Sequence, residues 1–402
     1  MKGILIALSA IQFLLVAWIG RELGAHQLSI YALATALFAP ITSLLSAGQR
    51  NAILTTEITK NRAEYIISEV KSAILLRSLL IFAFMVAATA INATQNEARL
   101  GIELIILAGL NRALDGALEI KSWKHQILNQ RRQFLLTIIG RILPIAVAII
   151  VTSFFYRTIS AFFYVLVASQ ITTQLIIHRL DNRKTKPSTP KRNISFKSIR
   201  TVTIVGFAAG IESLLIAGPR FLLQSTANES EVALYTIATQ IAIGFGIFAS
   251  IHLQFALPKF VESRTKDEQI KFTKKTFHET AVIWSILFST GAALMLIPNQ
   301  FWQLIFGDWL TPSPSLKIAL PILISTWYAS GFLANLINAK INKNWLAITA
   351  ITTALVCLSQ LTIANLAFTT ISSTTILWAL ASGFLSRLAL SALTIRKHLH
   401  DT

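Results

Sequence analysis

The sequence predicts an all-α integral membrane protein: twelve transmembrane helices in two six-helix lobes, with both termini on the cytoplasmic side. Three observations predict it. Apolar runs about 20 residues long recur from end to end, each able to cross a hydrocarbon core of ~30 Å. Basic residues collect in alternate connections, and a segment near residue 30 returns half a chain later. The composition agrees, since 54% of the 402 residues are hydrophobic and only 13% are charged, against about 25% charged in a soluble domain. A transmembrane barrel would alternate polar and apolar residues in segments of ~10 residues, and no such pattern is present.

The runs lie near residues 3–19, 29–50, 72–92, 100–120, 133–154, 159–178, 201–223, 232–257, 277–298, 316–338, 345–366 and 371–394. The opening MKGILIALSAIQFLLVAWIG has the charge and apolar stretch of a signal peptide. It lacks a small-x-small cleavage site and a second span follows at once, so it reads as the first helix. Trp18, Trp123, Trp302, Trp309 and Trp345 fall close to span ends, where indole is favoured. Pro40, Pro144, Pro219 and Pro321 fall inside spans, and each predicts a kink or a broken hydrogen bond that neighbouring helices or water must satisfy. The single cysteine, Cys357, sits in an apolar run. It excludes an internal disulfide and a cysteine metal site.

Charge fixes the orientation. Lys60, Arg62, Lys121, Lys124, Arg131, Arg132, the stretches Arg179 to Arg200 and Lys259 to Lys275, Lys340, Lys343, Arg396 and Lys397 share one side. That side holds 27 of the 36 basic residues; Arg21, Arg99, Arg157 and Lys317 are the four opposite, and five lie within spans. The bias puts both termini in the cytoplasm. The net charge of +18 therefore reflects topology and gives no support to a nucleic-acid partner.

The longest connection, HRLDNRKTKPSTPKRNISFKSIR, is basic, carries two prolines and falls near mid-chain. It divides the chain into an N-terminal lobe (1–180), a cytoplasmic linker (181–200) and a C-terminal lobe (201–402). QLSIYALATAL at 27–37 aligns with EVALYTIATQI at 231–241, with Tyr31/Tyr235, Ala34/Ala238 and Thr35/Thr239 identical. Each segment opens the second helix of its half. Equal topology in the halves implies parallel repeats about an axis along the membrane normal.

Arg77, Arg112, Arg141, Arg220 and Arg387 fall within spans. Intramembrane arginine is rare and normally faces the bundle interior or a water-filled cavity. Arg112 and Arg141 lie nearest the midplane, Arg77 and Arg220 lie near span ends where they can snorkel, and Arg387 is intermediate. In GLNRALDGALEIKSW, Arg112, Asp115 and Glu119 share a ~60° arc of the fourth helix. Two readings stand. Arg112 and Asp115 pair at i,i+3 with Glu119 reaching the cytoplasmic surface, or the stripe lines a cavity. Glu212, mid-span among small residues, either carries a coupling proton or pairs with an arginine across the bundle. Glu279 and His278 read as interfacial, His178 and His252 have no ligand role, and Asn111, Gln170 and Gln240 serve sugar hydroxyls or helix–helix bonds equally well.

VAWIGRELGAHQLSIYALATALFAPITSLLSAGQRNAI resembles the first-and-second-helix signature of bacterial polysaccharide-unit flippases of the Wzx type. They share a superfamily with the multidrug and toxin extruders (MATE) and the lipid II flippases. Arg21, Leu23, Gly24, Tyr31, Ala32 and Gly48 supply the pattern. IFGDWLTPSPSLKIALPILISTWYASGFLANLINAKINKNW is similar to the family's ninth-to-tenth-helix pattern. Two departures stand out: Ser29 and Ile30 precede Tyr31 where the family usually has Gly, and only Met1 and Lys2 precede the first span where it often has a longer lead-in.

The resemblance implies a MATE-like fold in the cytoplasmic (inner) membrane. It implies alternating-access movement of polyprenyl-diphosphate-linked oligosaccharide for surface polysaccharide biosynthesis by a monomer, without catalytic residues, metal or cofactor. Arg112, Arg141, Arg387 and Arg77 would meet the diphosphate, because a guanidinium fork binds phosphate bidentately. Asp115, Glu119 and Glu212 would pair with them or couple transport to H+ or Na+. Membrane lipids are surrounding partners, and contact with the polysaccharide polymerase machinery is expected. A MATE-like cation-coupled exporter is the main rival and predicts an acidic cavity with few arginines. A polymerase or glycosyltransferase of the same pathway predicts a large outer loop rich in catalytic residues; the longest here, NQFWQLIFGDWLTPSPSL, carries one acid, Asp308. No nucleophile elbow, phosphate loop or metal-ligand spacing appears.

Overall fold

Each apolar run becomes a helix because a chain in lipid must satisfy its backbone groups within the segment. The computed structural model describes residues 2–55, 62–94, 100–127, 130–182, 196–262, 266–340, 344–367 and 371–401. In chain order the helices are α1 (Lys2–Trp18), α2 (Gly24–Thr55), α3 (Arg62–Thr94), α4 (Ile102–Ile127), α5 (Arg131–Phe155), α6 (Ile159–Asn182) and α7 (Phe196–Ala217). They continue with α8 (Pro219–Thr226), α9 (Glu229–Glu262), α10 (Lys266–Ala293), α11 (Asn299–Phe306), α12 (Pro314–Lys340), α13 (Trp345–Ala367) and α14 (Ser373–Asp401). Among the described residues, nine runs are long and apolar enough to cross a membrane, and Ala10–Ser46 covers α1 and α2 together. The charged stripe removes α4 from that set, and α4 and α9 complete twelve long helices.

Outward faces are apolar. Leu75, Leu79 and Phe82 on α3, Ile139 on α5 and Leu355 and Leu366 on α13 are all more than half exposed. Water would not tolerate so continuous a patch; lipid does. Inside, one large cluster runs from Leu15, Phe38 and Phe163 through Tyr235 to Leu323 and Phe384. Helices α3–α6 pack mainly on one another and on α2, and α10 and α12–α14 pack mainly on one another and on α9. α7 lies along both α2 and α13, while α1 and α2 also touch α9.

Three details differ from the spans read off the sequence. The first connection is a π-helical turn, Ile19–Leu23, that ends at Gly24 with φ +85°; this left-handed conformation favours glycine and reverses the chain. The seventh span breaks at Gly218, and Pro219 starts the short α8 instead of kinking a continuous helix. Proline suits a first helical position because its missing N–H would be unpaired there anyway. The longest outer loop contains α11, which buries Trp302 and Phe306. Residues 183–195 of the expected linker lie outside the described residues, and its last part, 196–200, belongs to α7.

The two threonines aligned in the sequence make the bond to the preceding turn that many helical threonines make here. Thr35 donates its hydroxyl to the Tyr31 carbonyl at 2.9 Å, and Thr239 does the same to Tyr235 at 2.9 Å. α11, the chain just after it and the start of α9 all bond to the first connection and the start of α2 at one end of the bundle. Trp309 Nε1 donates to the Gly20 carbonyl at 2.8 Å, Arg21 Nη1 to the Leu304 carbonyl at 2.8 Å, and His26 Nδ1 lies 2.7 Å from Glu229 Oε2. The tryptophans read as span-edge anchors bond inward as well: Trp18 reaches Ser153 Oγ at 2.9 Å, Trp345 reaches Ser391 Oγ at 3.3 Å, and Trp123 is buried.

Candidate functional site

The α4 stripe sits between α3 and α5, and each neighbour sends it an arginine. Arg141 of α5 grips Asp115 with two parallel bonds, Nε to Oδ1 at 2.7 Å and Nη2 to Oδ2 at 2.8 Å. This fork geometry is the strongest arrangement available to such a pair. One turn further on, Arg77 Nη1 donates to Glu119 Oε2 at 3.0 Å and to Ser46 Oγ at 2.8 Å, while Ser46 Oγ donates to the same carboxylate at 3.3 Å. The Arg77 guanidinium lies directly across Gly116, where any Cβ would collide with it. Glycine at 116 is what lets Arg77 reach the stripe.

Asp115 therefore pairs across helices with Arg141, and the i,i+3 pair with Arg112 does not form. Arg112 acts on Asp115 through space but makes no hydrogen bond or ion pair with any described residue, and its Nε is buried without a partner. Arg77 and Arg220, read as residues that could snorkel, are instead turned inward at 4% and 8% exposure.

Among the described residues of the second half, one interior arginine is paired with an acid. Arg387 of α14, almost fully buried, donates from Nη1 to Glu212 Oε2 of α7 at 3.0 Å. The other oxygen, Oε1, accepts from Trp327 Nε1 of α12 at 2.5 Å. Glu212 thus has the cross-bundle partner that the sequence left open. Trp327 stacks on Phe384, with ring centroids 5.5 Å apart. Arg220 of α8 makes one bond, from Nη2 to Thr239 Oγ1 at 3.3 Å, and its Nε is buried without a partner. Asn111 Oδ1 accepts from Gln170 Nε2 at 2.8 Å, a helix–helix bond that leaves Gln170 Oε1 buried without a partner. Glu279 lies 3.8 Å from Lys275 and His178 is exposed; the His252 side chain lies outside the described ones.

Five interior arginines thus meet three carboxylates, and all three carboxylates are committed. No group of His, Cys, Asp and Glu among the described residues could hold a metal ion. Among the described residues the interior is cationic, and Arg112 and Arg220 are its arginines without a bonded acid. Sequence reasoning missed Ser46, Gly116, Trp327 and the pairing role of α12. Only Trp327 carried a signal: a tryptophan at mid-span, away from any interface, among small and polar residues.

No family model matches the chain, and no curated protein matches it. Solved structures do. The inward-facing conformation of a multidrug resistance MATE family transporter of the MOP superfamily superposes over 98% of this chain and 95% of its own, with 16% identity and a TM-score of 0.64. The fold is that of the MATE transporters. The outward-facing conformation of a multidrug resistance MATE family transporter of that superfamily covers 100% of this chain and 94% of its own, at 16% identity and a TM-score of 0.63. A MOP superfamily transporter from Pyrococcus furiosus, described as having a binding pocket of reverse polarity and on that basis a different function, matches over 100% and 94% of the two chains. Its identity is 15% and its TM-score 0.63. At these identities the likeness establishes the fold alone.

Proposed function

We propose that this chain is an alternating-access transporter of an anionic substrate, and that the substrate is a polyprenyl-diphosphate-linked oligosaccharide. The observation that carries the reading is Arg112: a membrane-interior guanidinium with no ionic partner, beside a carboxylate already held in two bonds by Arg141. A half-buried guanidinium with no bonded partner in a membrane interior is costly, and a substrate anion would offset that cost. A diphosphate supplies the charge and the oxygen geometry that a guanidinium fork fits. In this reading Arg77, Arg141 and Arg387 shape the site while bound to Glu119, Asp115 and Glu212.

The second reading, a cation-coupled small-molecule exporter, is favoured by the multidrug transporters that share the fold. It needs an acidic group free to take a cation, and Asp115, Glu119 and Glu212 are each held by an arginine. Deleting the gene in its host and measuring membrane polyprenyl-diphosphate glycans by mass spectrometry separates the two. Accumulation of one complete unit, reversed by the wild-type gene and not by Arg112→Gln, supports the flippase. A normal lipid profile with heightened sensitivity to cationic drugs supports the exporter.

A further inference from the structure

Helix α11 belongs to the second half by chain position and to the first by packing. It lies between α10 and α12, yet its main helix neighbours are α1 and the π-helical turn Ile19–Leu23. The sequence explains the split. In NQFWQLIF the large residues Trp302 and Phe306 stand one helical turn apart, on one face. Both are buried, and the Phe306 ring meets Phe13 of α1 edge-on, with centroids 5.8 Å apart.

Polar bonds fix the same contact. Trp309 Nε1 donates to the Gly20 carbonyl at 2.8 Å, and Arg21 Nη1 donates to the Leu304 carbonyl at 2.8 Å. Gly307 brings Trp309 within reach, because at φ +103° it turns the chain in a way that favours glycine. Gly20 fits closely on the other side: a Cβ there would stand 3.2 Å from the Phe306 carbonyl oxygen and 3.6 Å from the Trp309 ring. The Gly20 carbonyl itself lies in the π-helical turn, a rare local geometry that often marks a functional segment.

The chain on either side of α11 is tied to the second half. Just before it, the Ile297 carbonyl accepts from Lys317 Nζ of α12 at 2.9 Å, and just after it Ser313 Oγ accepts from the Leu316 N–H of α12 at 3.2 Å. Parting of the halves at this end, which the charge bias assigns to the outside, therefore breaks the contact between α11 and α1.

We infer that α11 is an outer latch, a strap from the second half that docks on the first and must release before the two halves part at this end. The inference rests on the alternating-access part of the reading above and is independent of the cargo. Docked and released are two states of one contact, so weakening the contact raises the open population.

The test is double electron–electron resonance on the full chain in nanodiscs, in a Cys357→Ser background. One label pair, Tyr156→Cys with Ser225→Cys, spans the halves at exposed positions outside the strap. A third label, at Gln300→Cys on the exposed side of α11, is paired with each in turn. Trp309→Phe keeps a ring and loses the Nε1 donor. It should raise the ratio of long to short distances between positions 156 and 225 about fivefold, the scale of one hydrogen bond. Gly20→Ala, which crowds the Phe306 carbonyl, should raise it further. In the long-distance population the label at 300 keeps its distance from 225 and moves away from 156.

A label at 300 that stays with 156 and leaves 225 overturns the latch and makes α11 a part of the first half. Wild-type distances in both variants overturn it as well, and a fall in their unfolding temperatures then marks the contact as structural support. The predicted distance shifts in a chain that moves no glycan would overturn the cargo reading and leave the latch standing.

Discussion

The two halves share a scaffold and differ in their charge chemistry. Tyr31 and Tyr235 align in the sequence, on α2 and α9, and the Thr35 and Thr239 hydroxyls each donate to the carbonyl of the aligned tyrosine at 2.9 Å, a bond common to helical threonines. The charges around them do not repeat. In the first half two arginines from α3 and α5 converge on one stripe of α4. In the second an arginine–glutamate pair joins α7 to α14 and is held by an indole from α12. Packing against neighbours constrains the small and aromatic positions of both halves alike. A charge in the interior needs only one well-placed partner, which any adjacent helix can supply. Each half nevertheless ends with one guanidinium lacking a bonded acid among the described residues, Arg112 and Arg220.

The comparison can be broken most forcefully in the second half. Glu212→Ala leaves Arg387, at 2% exposure, without its carboxylate and should cost about 3–5 kcal/mol in thermal unfolding of the purified protein. Glu212→Ala with Arg387→Met should recover most of that loss. Asp115→Ala in the first half should cost less, about 2–3 kcal/mol, because Arg141 is more exposed and Glu119 also acts on it. Gly116→Ala should cost about 1–2 kcal/mol by pushing Arg77 off its seat, and an alanine replacing Arg77 in the same chain should relieve it. The smallest effect contrasts the aligned tyrosines. Tyr235→Phe removes a buried hydroxyl that donates to the Ile216 carbonyl at 2.9 Å and should cost about 1 kcal/mol. Tyr31→Phe, whose hydroxyl bonds to no described residue, should stay within about 0.5 kcal/mol. Equal losses at both would show that the repeat extends further into the bonding than these contacts indicate.

The sequence revealed the helices and the interior charges, and the reason is physical. Apolar length and the cost of a charge in lipid are properties of each segment alone, so the twelve spans and the five arginines could be read directly. Partner choice could not. Asp115 has Arg112 three residues away on its own helix, yet a better-aimed fork arrives from Arg141, 26 positions along the chain. Glu212 finds Arg387 at a separation of 175 residues. Of the two readings open for Arg77 and Arg220, snorkelling fails, because end position along a helix says nothing about which face points inward. α11 was hidden in a loop because eight residues are too few to cross a membrane, although they suffice to seat Trp302 and Phe306 on the bundle.

The most direct test of the cationic, anion-carrying interior is transport itself in proteoliposomes. Wild type and Arg112→Gln would be reconstituted and assayed in parallel for movement of a polyprenyl-diphosphate-linked glycan and for gradient-driven uptake of a cationic dye. The account predicts that the wild type moves the glycan and not the dye, and that Arg112→Gln, inserted and folded, moves neither. Dye transport driven by H+ or Na+, with no glycan movement and no effect of Arg112→Gln, would contradict it.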